Sequence, residues 1–154
     1  MTRRRSLLLL PAALLLARCG GARKPPGMLT LEVSGSPDQN PDSAGDPEPV
    51  AVRIYQLRAI RKFETSGWAA LTEREQPTLG ADDAGSQEVV VAPEQNVRRT
   101  ILLQPDVQAI GIVVLYRDIG HAQWRALAPV APTGNTRLAV HVGKQAVSLV
   151  APPG

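Results

Sequence analysis

Residues 35–57 read GSPDQNPDSAGDPEPVAVRIYQL, and the two halves of this stretch have opposite character. The first, Gly35 to Pro49, holds four prolines, the carboxylates Asp38, Asp42, Asp46 and Glu48, and no basic residue. Proline fixes backbone angles and Asp, Asn and Ser bond their own backbone, so this half reads as a turn-rich loop. The second half, Val50 to Leu57, contains Val52, Ile54 and Tyr55 and reads as a strand. Its apolar side runs Val50, Val52, Ile54 and then changes phase to Tyr55 and Leu57, a shift that a β-bulge accommodates. Binding residues concentrate on loops held by rigid elements. The loop is therefore expected to be the recognition surface of a β domain.

The flanking chain supplies the rest of that domain. Met28 to Val33 is a first strand ahead of the loop. Further strands are read at Gln87–Ala92, Val97–Leu103, Ala109–Arg117, Gln123–Val130, Asn135–Val142 and Gln145–Val150, with Pro93 to Asn96 as a hairpin connection. Ala109–Arg117 is apolar on both faces, the mark of a central strand. Short helices are expected over Phe63–Leu71 and Glu73–Gln76, capping one end of the sheets, with Pro77 and then Gly80 to Gly85 as loop. Eight short strands with few helices make a two-sheet sandwich, not a parallel α/β fold or a helical bundle.

The formal charge of +3 misleads. Arg3, Arg4, Arg5 and Arg18 belong to the first eighteen residues, and setting them aside leaves 13 of the 17 basic residues against 14 acidic ones, a net charge of −1. Arg98–Arg99 and Arg58, Arg61 and Lys62 are short clusters of solvated type, so nucleic-acid binding has no support.

Residues 1–18 combine a positive start with an apolar run from Leu7 to Ala17, too short to span a bilayer but suited to an export signal. Cys19, the single cysteine, follows directly and cannot form an internal disulfide. Leu16-Ala17-Arg18-Cys19 resembles the bacterial lipobox, with Arg18 standing where that pattern has a small residue. The resemblance implies that Cys19 is acylated, that 19–27 tether the domain spanning 28–154, and, with Gly20 in place of a retention aspartate, that the destination is the outer membrane.

Catalytic and metal chemistry find little purchase. His121 falls in a turn and His141 on the polar side of a strand, both without ligand-spaced partners. No nucleophile elbow surrounds Ser34, Ser36 or Ser43, and no glycine-rich phosphate loop precedes a helix. Asp38, Asn40 and Asp42 alternate as calcium-loop ligands do, but Ser43 and Pro49 stand where such a loop needs glycine and glutamate. That leaves only looser calcium binding open. Trp68 and Trp124 read as packing residues. No catalysis, cofactor, metal or small-molecule substrate is expected. The competing readings are a periplasmic sandwich binding a small ligand or carbohydrate, and a hydrolase on a β fold.

Asn40-Pro41-Asp42 with Gly45, the strand Val52-Arg53-Ile54-Tyr55-Gln56-Leu57, KFETSGWAAL at 62–71, and Tyr116-Arg117-Asp118 with Trp124-Arg125 together resemble the type VI secretion lipoproteins of the TssJ family, also called VasD or SciN. The resemblance implies a mainly β, transthyretin-like sandwich held at the periplasmic face of the outer membrane by acylated Cys19. It also implies that the loop between the first two strands binds the periplasmic C-terminal region of TssM, with TssL in the wider complex. The contact residues it suggests are Asp38, Gln39, Asn40, Pro41, Asp42 and Asp46, with Gln39 to Asp42 at the tip.

Overall fold

The computed structural model describes residues 21–153, so the export signal read at 1–18 and Cys19 lie outside the described residues. Eight strands form: β1 (Met28–Gly35), β2 (Val50–Leu57), β3 (Asp83–Val91), β4 (Asn96–Leu102), β5 (Ala109–Val114), β6 (Arg125–Pro129), β7 (Asn135–Val142) and β8 (Val147–Val150). They make two four-stranded sheets, ordered β4-β1-β7-β8 and β3-β2-β5-β6. All neighbours are antiparallel except β1 and β7, which run parallel with Leu31 opposite Leu138.

Period-two alternation buries Leu29, Leu31 and Val33 of β1 and Leu138, Val140 and Val142 of β7 against Val52, Ile54, Ile110, Ile112 and Val114 of the facing sheet. Among the described residues, the core side chains fall between Leu29 and Leu149. Their core is thus continuous from the first strand to the last, and the domain is expected to fold as a unit.

A second apolar cluster lies on the outer face of the β2–β5 sheet. Three short helices cover it: α1 (Arg61–Thr65), α2 (Trp68–Glu73) and α3 (Glu75–Leu79), with a 3₁₀ turn at Gly80–Asp82. Phe63, Leu71 and Leu79 pack there on Tyr55, Leu57, Ala109 and Val113. The Phe63 and Tyr55 ring centroids are 5.4 Å apart, and Tyr55 Oη donates to Leu71 O at 3.0 Å. Burial pushes the Tyr55 phenol up to about 12, which keeps it a donor.

The helices therefore cover a sheet face; they do not cap an end as expected. This layer also accounts for the change of phase along β2. Val52 and Ile54 face the inter-sheet core while Tyr55 and Leu57 face the helices, so no bulge is involved at that point. The β2–β3 register does shift, but later, between Gln56 and Leu57. Two further expectations fail. Pro77, read as loop, lies in the first turn of α3, where a missing N–H leaves no bond unmade. β3 and β4 belong to different sheets, so 92–95 is a crossover rather than a hairpin.

Since successive strands run alternately up and down, the loop 36–49 and the connections 92–95, 115–124 and 143–146 gather at one end of the sandwich. The tether at 21–27, the β2–α1 link and the connections 103–108 and 130–134 gather at the other.

Candidate partner-binding loop

The loop leaves β1 at Gly35, and the absence of a side chain there lets Gln39 fold back over it. A Cβ on Gly35 would overlap Gln39 Oε1 and lie 2.5 Å from Ala92 O. Gln39 is completely buried. Its Nε2 donates to Val91 O at 2.8 Å and to Glu48 O at 3.1 Å, joining both limbs of the loop to β3. Its Oε1 has no hydrogen-bond partner among the described residues.

Asn40 makes the second staple. Its Nδ2 donates to Pro49 O at 3.1 Å and its Oδ1 accepts from Arg117 N at 2.8 Å. Its own N–H donates to Lys144 O at 3.1 Å. The residue takes a φ of 43°, a left-handed conformation that asparagine tolerates better than most. Both staples are neutral amides, and a neutral amide needs only hydrogen bonds to be buried, whereas a carboxylate would also lose its charge solvation.

Beyond these staples the chain forms a small closed arc from Pro41 to Glu48. Asp42 Oδ1 accepts from Ala44 N at 2.8 Å and Asp46 N at 2.9 Å, and Asp42 N donates to Asp46 O at 2.9 Å. Gly45 completes the turn with a φ of 90°. Asp38 accepts from Ser36 Oγ at 2.8 Å.

The structure therefore divides the six residues suggested for contact. Gln39 and Asn40, expected at the tip, point inward and hold the loop's waist. Pro41 and Asp42 are half-buried at its shoulders, while Asp38 and Asp46 are exposed. The calcium arrangement is not formed, since Asn40 Oδ1 is engaged by Arg117 and Asp42 holds its own turn. Among the described residues no group of three or more His, Cys, Asp or Glu stands where it could hold a metal.

Two neighbouring turns complete this end. Asp118 pairs with His121 Nδ1 at 2.9 Å and accepts from Gln145 Nε2 at 3.3 Å, linking 115–122 to 143–146. The hydrogen bond and charge of Asp118 raise the His121 pKa. Tyr116 Oη donates to Gly143 O at 3.1 Å. Tyr116 and Arg117, expected at the end of the strand over Ala109–Arg117, lie beyond β5, which ends at Val114, and serve as supports of these turns. Trp68 and Trp124 are half-buried against the core clusters, as packing residues, and Arg125 lies 4.7 Å from the centre of the Trp124 ring.

No helix among the described residues is long and apolar enough to cross a membrane. No curated protein matches the chain. Among solved structures, the type VI secretion lipoprotein TssJ1 from Pseudomonas aeruginosa is 31% identical with a TM-score of 0.80, covering 84% of this chain and 99% of that one. Serratia marcescens Lip, described as a membrane-bound component of the type VI secretion system, has a TM-score of 0.75 at 18% identity, with the same 84% and 99% covered. A chain of a structure described as the type VI secretion protein TssM C-terminal domain from EAEC has a TM-score of 0.67 at 22% identity, covering 81% of this chain and 98% of that one. The family described as "Type VI secretion lipoprotein, VasD, EvfM, TssJ" matches residues 28–145. With its two four-stranded sheets, its helical cover and that match over most of its length, the chain belongs to the type VI secretion lipoprotein family of TssJ, VasD and SciN.

Proposed function

We propose that this protein is an adaptor of the type VI secretion membrane complex, acylated at Cys19, held at the periplasmic face of the outer membrane, and gripping the periplasmic C-terminal region of TssM with its β1–β2 loop. The observation that carries the reading is the loop's construction. Its waist is fixed by Gln39 and Asn40, while Asp38, Ser43, Ala44, Asp46 and Pro47 stay exposed. A loop ordered before contact loses less entropy on association. The likeness to a chain of the EAEC TssM C-terminal domain structure supports a TssM-type partner.

Its carboxylates favour a basic partner surface and a salt-sensitive on-rate. Replacing Asp38 and Asp46 by Asn and Glu48 by Gln removes charge without touching the waist. Binding to the periplasmic part of TssM is expected to weaken about tenfold, chiefly in association rate. Unchanged rate and affinity in this variant would remove the loop from the contact. The intact mass of the membrane-extracted protein tests the acyl chains on Cys19 separately.

A further inference from the structure

The charges of the sandwich are sorted by end. The loop end carries Asp38, Asp42, Asp46, Glu48, Glu94 and Asp118 against Arg117 and Lys144. The opposite end, where the described chain begins, carries Arg23, Lys24, Arg58, Arg61 and Lys62 against Asp82, Asp83 and Asp106. Arg23 and Lys24 lie in the exposed tether, and the cleft beneath it is lined by Leu102, Gln104, Pro105 and Pro132. Arg58 donates to three carbonyls, Pro105 O at 3.2 Å, Ala81 O at 3.3 Å and Asp83 O at 3.1 Å. It has no carboxylate partner among the described residues, so its positive charge is held in place without being neutralised. Lys62 alone of the five has one, Asp82 at 3.6 Å. Exposed apolar side chains, Met28 and its register partner Leu102 together with Ile60, occupy the same end.

We propose that this basic end is a second membrane contact, lying on anionic phospholipid headgroups beside the acyl anchor. The proposal rests on the anchoring read at Cys19, two residues before the described tether begins. An anchor that close leaves the basic end no room to be far from the bilayer. Acyl chains on Cys19 hold the protein to the bilayer without fixing its orientation, and a cluster of cations beside them supplies a contact that does. Each cation near an anionic surface strengthens binding about fivefold. The carboxylates at the far end lie about 25 Å away along strands of eight residues, beyond the Debye length of about 8 Å at physiological salt, so they do not offset this attraction. The domain thus stands upright, with the β1–β2 loop turned away from the lipid.

The test uses residues 19–154 carrying one synthetic fourteen-carbon chain on the Cys19 thiol, partitioned onto vesicles of phosphatidylcholine alone or with phosphatidylglycerol. The expected result is at least tenfold tighter binding to the anionic vesicles at about 0.05 M salt, nearly lost at about 0.5 M. The exposed triple variant R23Q/K24Q/R61Q should bring the two vesicles close to equal, while R98Q/R99Q, on β4 away from this end, should not. Equal binding to both vesicles, a preference unchanged in the triple variant, or an equal loss in R98Q/R99Q overturns the proposal. Because the chain is attached chemically, failure of natural acylation appears in the intact mass and not in this partition.

Discussion

The Asn40 side chain accepts a hydrogen bond from the Arg117 backbone at 2.8 Å, tying the β1–β2 loop to a turn 77 residues away. With Nδ2 on Pro49 O, the amide closes its own loop and joins it to the β5–β6 connection. Asn40→Ala removes both bonds, each contributing about 1 kcal/mol, and leaves alanine at a φ of 43° at a cost of about 1 kcal/mol more. A loss of about 2–4 kcal/mol is expected in urea unfolding. Asn40→Gly keeps the backbone freedom and should lose about 1 kcal/mol less. Equal losses in the two variants would remove the left-handed conformation from the account.

Gly35→Ala tests the other staple. The new Cβ would collide with Gln39 Oε1, and Ala92 O at 2.5 Å is backbone that cannot move aside cheaply. Displacing Gln39 from Val91 O and Glu48 O should free the loop's waist before it affects the distant helical layer. Hydrogen exchange should therefore quicken at Glu48 N, which donates to Gln39 O, with a global loss of about 1–3 kcal/mol. Unchanged protection at Glu48 would contradict this packing.

These two amides also mark where sequence reading reaches its limit. The bounds of β7 are legible from alternation alone, because one face of the strand meets the inter-sheet core, while β2, buried on both faces, is marked by its β-rich composition. Gln39 and Asn40 sit among turn formers and acids, where a polar side chain ordinarily points to water. Their buried bonds go to carbonyls of Val91 and Pro49 and to the N–H of Arg117, partners fixed only when distant strands assemble. The one local signal was that they are amides in a loop whose other long polar side chains are carboxylates. The crossover at 92–95 was hidden for a related reason. Pro93-Glu94 bends the chain equally well within a sheet or between sheets, and neighbours far along the chain decide which.

One contact in the helical cover joins Phe63 to Gly111. Phe63 is fully buried, and a Cβ built on Gly111 would lie 2.6 Å from Phe63 Cζ. Gly111 thus makes room on β5 for the ring. Phe63→Ala should cost about 3–5 kcal/mol, and Gly111→Ala about 1–3 kcal/mol by overpacking. In the double variant the added methyl enters space the ring has left, so the combined loss should fall short of the sum by about 1 kcal/mol or more. Additive losses in a double-mutant cycle would show that ring and glycine do not share this space.

At the loop end, His121 couples charge to pH through Asp118. The His121 pKa is raised by the hydrogen bond and charge of Asp118, which also accepts from Gln145. A histidine with a raised folded-state value is favoured in its charged form by the fold. Its contribution is fully present below the unfolded value of about 6.5 and is lost as pH rises through the higher folded value. In an NMR titration the His121 ring should change charge above about 6.5, and Asp118→Asn should bring it back towards that value. Because the ring is fully exposed, the effect should remain local. The amides of 118–121 and of Gln145 should shift with it, while those of the β1–β7 core stay still. A His121 titration unmoved by Asp118→Asn would show that the pairing does not persist in solution, leaving Tyr116 and Asn40 as the bonds that join these turns.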